Sequence, residues 1–158
     1  MQAKWSGAGL ILTAALVLAH RLSAAERAGL RRTEAWLELV RQMRRQIACY
    51  SRPPGEILRR IDPTLAAACG LDAASVKGLA EMLERAEQGL LPDAVRVVRE
   101  VALELGRGYL AEQISLLDAA IGELEEITAS GRRRLPERIR LIRCACICGG
   151  LAVILLLL

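Results

Sequence analysis

Aromatic side chains are almost absent from this sequence of 158 residues, which has no phenylalanine and only two tryptophans and two tyrosines. A packed core must therefore be built from Leu, Ile, Val and Ala. Hydrophobic residues make up 53% of the chain, which is enough for such a core in one domain. The apolar residues do not alternate with polar ones as they do in a half-buried strand. These features predict an all-α fold.

Residues that carry most enzyme chemistry are equally scarce. The single histidine, His20, lies at the edge of an apolar run, where a polar residue at an interface is the simpler interpretation. The chain has no Glu-x-x-His pair of the kind that builds di-iron sites, and no glycine-rich phosphate-binding motif. The acidic cluster of Glu123, Glu125 and Glu126 is typical of a solvated helix face. The sequence therefore predicts a non-enzymatic protein with no catalytic residue, cofactor or metal site.

The five cysteines are an odd number and indicate no disulfide framework, which fits a reducing compartment. Three of them, Cys144, Cys146 and Cys148, lie within an apolar segment. On a helix, positions 144 and 148 share a face while position 146 points away, so one helix cannot offer all three thiols to one metal ion. We interpret them as small apolar side chains of that segment.

Charge is distributed unevenly along the chain, whose net charge is +4. Ten of the 22 basic residues lie in two clusters beside the apolar ends, four at positions 21–32 and six at positions 132–143. No aromatic side chains that could stack on bases accompany them. The pattern therefore predicts placement at a membrane and no nucleic-acid partner.

The C-terminal end predicts a membrane anchor. The fifteen residues 144–158 are uncharged and reach about 22 Å as a helix, short of the roughly 30 Å hydrocarbon core. Leu141 and Ile142 lengthen the segment if the Arg143 side chain extends to the interface. We expect the anchor, together with a kink at Pro136, to occupy residues 136–158.

The N-terminal end carries a second run of fifteen uncharged residues, 5–19. An uncleaved anchor over residues 1–22 puts both chain ends outside and residues 23–135 in the cytoplasm, by the positive-inside rule. The alternative is a cleaved signal peptide, since Ser23 and Ala25 suit a cleavage site. The arginines expected at the membrane boundaries are Arg21, Arg138, Arg140 and Arg143.

Between the two ends, periodicity and turn residues predict a bundle of about six helices. Apolar residues at steps of three and four form one stripe in the first helix and another in the last, and the two helices should pack antiparallel. Asp62 and Pro63 are a typical helix start and Gly70 a typical end. The first stripe is Trp36, Val40, Met43, Ile47 and Tyr50. The last is Leu110, Ile114, Leu117, Ile121, Leu124, Thr128, Gly131 and Leu135.

Basic residues near the end of the first helix lie off its apolar stripe. We predict that they form a partner-binding patch, and a merely solvated face is the alternative. The residues of this patch are Arg41, Arg44, Arg45 and Arg52.

Two segments carry a resemblance to a known family. One runs from Gln46-Ile47 through Tyr50 to Pro53-Pro54, and the other is Leu105-Gly106 followed by Gln113. With the apolar ends, they make the chain resemble the stage III sporulation protein AB family. Cys49 before the tyrosine, Pro54 in place of Leu, Tyr109 in place of Asp, and Pro136 depart from the family pattern.

The resemblance implies a helical bundle similar to the cytoplasmic domain of type II secretion F-type platform proteins. It implies a place in the sporulation channel between mother cell and forespore, on the mother-cell side at the outer forespore membrane. The expected partners are a secretion-type ATPase and other membrane subunits of that complex, and a homo-oligomer is allowed. The alternative function is an exported, tail-anchored helical scaffold or sensor with a cleaved signal peptide.

Overall fold

A computed structural model describes residues 2–50, 56, 61–71 and 89–157. Within these ranges the regular structure is entirely helical, so the predicted all-α class is confirmed. The described helices divide into two compact units. The central unit is Gly29–Gly131, and the terminal unit is Met1–Ala28 with Arg132–Leu158. The helices are α1 (Gln2–Tyr50), α2 (Pro63–Cys69), α3 (Pro92–Glu104) and α4 (Leu110–Leu157).

The prediction that residues 1–22 and 136–158 form transmembrane segments is wrong. In the part of the chain that the structure describes, no helix combines the length and the apolarity that crossing a membrane requires. Each fifteen-residue apolar run covers only about 22 Å of helix, and α1 and α4 continue from these runs directly into arginine-rich sequence.

The predicted number of helices is also corrected, because the described ranges form four helices rather than about six. The turn residues Pro53, Pro54 and Gly55, and the capping residues Asp72 and Gly89, also predict helices at 56–61 and 72–88. Most of the first and all of the second lie outside the described residues. The chain remains helical on both sides of Pro136, so this residue does not end α4.

The core of the central unit is aliphatic, as the composition predicts. Four of the five predicted stripe residues of α1 are buried, while the side chain of Tyr50 lies outside the described residues. The α4 stripe is buried at its centre and half-buried or exposed towards its ends. The core cluster includes Trp36, Leu39, Val40, Met43, Ile47, Ala66, Ala94, Val97, Val98, Val101, Leu117, Ala120 and Leu124.

The ends of α2 follow the capping rules that the sequence predicts. The carboxylate of Asp62 accepts hydrogen bonds from the backbone N–H of Thr64 (2.8 Å) and from its hydroxyl (2.7 Å). The hydroxyl bond and the backbone bond lower the pKa of Asp62. At the other end, Gly70 has a φ of 79°, and the N–H of Leu71 donates to the carbonyl of Ala66 at 2.8 Å. The predictions at Asp62, Pro63 and Gly70 are therefore confirmed.

Cys69 closes α2 against α1. The indole Nε1 of Trp36 donates to the Cys69 carbonyl oxygen at 3.2 Å, and the Cys69 residue is only 1% exposed. Burial raises the pKa of the Cys69 thiol from 9.0 to about 12. Because this folded-state value is raised, the neutral thiol favours the folded state at neutral pH, and the contribution is lost as the pH rises towards 12. Cys69 is therefore a core residue and not a reactive thiol.

The chain segment before α3 lies directly on α1. The N–H of Leu91 donates to the Thr33 hydroxyl at 3.3 Å, and that hydroxyl donates to the Gly29 carbonyl at 2.9 Å. Gly89 has a φ of 129°, and the Arg32 guanidinium occupies the space that a side chain at position 89 would take. Arg32, which the sequence assigns to a membrane-side cluster, thus packs against this turn.

The terminal unit is an antiparallel helix pair. A Cβ at Gly150 would lie 3.2 Å from the Ala15 methyl group, and Arg138 Nη1 lies 3.5 Å from Glu26 Oε2. Ser23 is buried and donates to the Ala19 carbonyl at 2.7 Å. Glycines at 149 and 150 predict that another helix can approach closely there, and the structure shows this close approach at Gly150. This unit exposes Leu16, Val17, Leu18, Leu22, Leu141, Ile147, Leu151, Val153 and Leu155.

Candidate docking face on the central unit

The predicted basic patch lies where α1 packs against α4. Arg41 Nη2 donates to Glu125 Oε1 at 2.6 Å. Arg44 forms a two-pronged contact, with Nε at 2.9 Å and Nη2 at 3.2 Å from the two carboxylate oxygens of Asp118. These hydrogen bonds raise the pKa values of Arg41 and Arg44 above the ordinary arginine value. Two arginines of the patch therefore bridge α1 and α4 and confirm that the helices run antiparallel in this unit.

The other two patch residues differ. Arg45 Nη2 pairs at 3.1 Å with Glu38 Oε1 on its own helix, and its side chain is 60% exposed. Arg52 lies outside the described residues. Among the described residues of the patch, Arg45 has the most exposed side chain, and its ion pair stays within α1 instead of reaching another helix. The assignment of the patch as a docking face stays a prediction.

A third ion pair lies on the opposite flank of α4. Arg96 Nη2 of α3 approaches Glu123 Oε2 at 2.7 Å. Glu123 and Glu125 are exposed, as a solvated face would be, but each one is also held by an arginine of a neighbouring helix. The sequence does indicate the ion pairs of Arg41 and Arg44. These two arginines lie one turn apart on α1 and face acidic positions on an antiparallel helix.

The arginines predicted at membrane boundaries belong to the terminal unit. Arg21, Arg140 and Arg143 are exposed, and Arg138 pairs with Glu26. Cys144 and Cys148 are exposed while Cys146 is half-buried, in line with the helical spacing. Over the described ranges, no three His, Cys, Asp or Glu residues come together in a way that could hold a metal ion.

The segment between α3 and α4 forms a second polar feature. The sequence indicates it only through the family resemblance of Leu105-Gly106 and Gln113. The backbone N–H of Tyr109 donates to Glu112 Oε2 at 3.0 Å, and Gln113 Nε2 donates to the Gly108 carbonyl at 2.8 Å. Gly106 has a φ of 91°, which explains a glycine there. An open depression of about 330 Å³ lies at this segment, lined by Glu104, Arg107, Gly108, Glu112, Gln113 and Leu116.

Comparison with known protein families matches residues 4–158 to the family described as stage III sporulation protein AB. The chain belongs to this family. The match covers both motif segments and both apolar ends, and it confirms the resemblance drawn from the residues. No curated protein and no solved structure matches the chain. A role in sporulation follows for this member of the stage III sporulation protein AB family.

Position 109 of this stage III sporulation protein AB chain is the N-cap of α4, and a tyrosine cannot cap a helix as Asp does. Glu112 supplies one half of a capping box, and the acceptor expected at the N-cap is missing. We therefore expect Tyr109→Asp to raise the free energy of unfolding by about 0.5–2 kcal/mol. Urea denaturation measures this change. Tyr109→Ala is the control, since it removes the ring without adding an acceptor, and equal stabilisation by both variants would contradict the capping argument.

Proposed function

We propose that this protein is a non-enzymatic platform subunit of the sporulation channel complex between mother cell and forespore, and that it docks the secretion-type ATPase of that complex. The observation that carries the proposal is the family match over residues 4–158. The helices that the structure describes in the central unit also fit the helical bundle that the resemblance to F-type platform proteins implies.

The proposed location is the mother-cell side of the cell membrane at the outer forespore membrane, with the central unit in the cytoplasm. An ATPase partner requires this side, because ATP is available only there. The free thiols of the described chain are compatible with a reducing compartment. Other membrane subunits of the channel are the remaining proposed partners.

The proposed docking face is formed by Arg41, Arg44 and Arg45. Their side chains keep 39%, 41% and 60% of their surface exposed, although each is paired with a carboxylate. A guanidinium has five N–H donors, so one in an ion pair still has donors for a second carboxylate. Exposed ion pairs contribute little to stability, and exchanging them for contacts with an acidic surface of the ATPase costs little.

Charge reversal separates docking from folding. We expect Arg44→Glu and Arg45→Glu to weaken co-purification of the ATPase, more strongly at low salt than at high salt, because surface electrostatics are screened by salt. Arg96→Glu is the matched control, since it also breaks an exposed pair with α4 but lies on α3. The melting temperature of all three variants should stay within a few degrees of the parent protein. Equal binding by parent and patch variants would refute the docking face, and equal loss with Arg96→Glu would show an effect of folding.

A further inference from the structure

Three large apolar side chains are exposed at the turn between α3 and α4. Tyr109 is 83% exposed, and Leu103 and Leu110 on either side of the turn are 52% and 45% exposed. Single exposed apolar residues are ordinary. Here, however, three large ones fall within eight consecutive residues, and one of them is a tyrosine, a residue type enriched at interaction hot spots. We call this turn, with Leu103, Glu104, Arg107, Tyr109, Leu110 and Glu112, the α3–α4 corner.

Local stability alone does not account for Tyr109. The N-cap of a helix favours Asp, Asn, Ser or Thr, and Glu112 is already placed to complete a capping box with such a residue. Tyrosine at this position forgoes that stabilisation and leaves an aromatic ring in water. A residue that is disfavoured at its position and does not stabilise the folded state most often serves a function. The exposed ring therefore points to a binding role.

The charges of the corner indicate what binds there. Glu104 and Arg107 both line the depression beside Tyr109, and neither forms an ion pair with the residues that the structure describes. The corner combines the guanidinium of Arg107 and the carboxylates of Glu104 and Glu112 with exposed apolar side chains, so its charges can pair with those of a second copy. When two copies meet across a twofold axis, Arg107 of the first copy can face Glu104 of the second, and Glu104 of the first can face Arg107 of the second. Both ion pairs can then form at once.

We infer that the α3–α4 corner is a contact between two copies of this protein, with Tyr109 and Leu110 at its centre and Arg107 of each copy paired with Glu104 of the other. The corner is small, and interfaces below about 1,000 Å² are weak and transient. The contact should therefore form at high local concentration, as in a complex that holds several copies together. This contact between copies does not depend on ATPase docking, which involves Arg41, Arg44 and Arg45.

Charge exchange tests the contact in the full-length protein. We expect the parent protein to show reversible dimerisation in sedimentation over a concentration series. Arg107→Glu and Glu104→Arg should each raise the dissociation constant at least about tenfold, because both place like charges opposite each other. A mixture of these two variants should dimerise again, and so should the chain that carries both changes. Glu126→Arg, the same charge change at another exposed position of α4, should have no effect.

A second measurement is specific to the corner even if the exposed apolar surface of the terminal unit also drives association. In a background without the exposed native cysteines, Tyr109→Cys should form a cross-linked dimer with a short bis-maleimide, and Glu126→Cys should not. The inference is overturned if the parent is monomeric throughout, if the single reversals dimerise like the parent, if the mixture fails to recover, or if both cysteine variants cross-link equally.

Discussion

Leu117→Asp is expected to unfold the central unit. Leu117 is 0% exposed near the N-terminal end of α4 and belongs to the core cluster formed by all four described helices. A carboxylate without a partner in that position costs several kcal/mol, and the total stability of a domain is only about 5–15 kcal/mol. The near-ultraviolet circular dichroism of the buried Trp36 indole and the cooperative thermal transition should both be lost.

The control for this variant is Ser115→Asp, two residues earlier on α4 at an exposed position. It introduces the same residue type into the same helix without burying the charge, so the transition should remain cooperative and shift by only a few degrees. A cooperative transition for Leu117→Asp near that of the parent would show that α4 does not pack as described.

Gly89→Ala should lower the free energy of unfolding by about 1–3 kcal/mol, since residues other than glycine are strained at a φ of 129°. A side chain there would also displace the guanidinium of Arg32. For the same reason, a reporter cysteine for topology experiments should not be placed at Gly89, although the residue is exposed. Denaturation by urea measures the loss.

Gly122 provides a control of opposite sign. It lies within α4, and a Cβ at this position would meet no atom within 4 Å. Alanine favours a helix interior over glycine, so Gly122→Ala should raise the free energy of unfolding by roughly 0.5–1 kcal/mol. If both glycine variants shift stability in the same direction, the argument from backbone conformation is wrong.

Much of the central unit follows from the sequence, because local rules and packing agree there. The stripe from Trp36 to Ile47 has the spacing of one helix face, and all its described members are buried. Asp62 and Gly70 predict both ends of α2, since each satisfies backbone groups that a helix leaves unpaired. Such predictions succeed when the deciding interactions lie within a few residues of each other.

Other features depend on partners that are distant in sequence. Apolar runs at the chain ends have the composition of short membrane anchors. The apolar stripes, which cover residues 36–50 and 110–135, do not show that α1 and α4 continue into those runs. The role of Arg32 depends on a turn that lies almost sixty positions away, at Gly89. The patch arginines look solvated when α1 is considered alone, and their partners Asp118 and Glu125 become evident only from α4.

Three ion pairs that α4 forms in the central unit have a further consequence for the register of that helix. Asp118, Glu125 and Glu123 face arginines on two flanking helices. If α4 slipped by four residues, about one helical turn, uncharged residues would face all three arginines in either direction. Those residues are Ile114, Ala119 and Ile121 for one direction, and Gly122, Ile127 and Ala129 for the other. In the first direction the positions of the apolar stripe would be taken by uncharged residues, whereas in the second they would include Asp118, Glu125 and Arg132. Ion pairs that stabilise the fold only slightly therefore help to exclude the first of these alignments, which apolar packing alone opposes least.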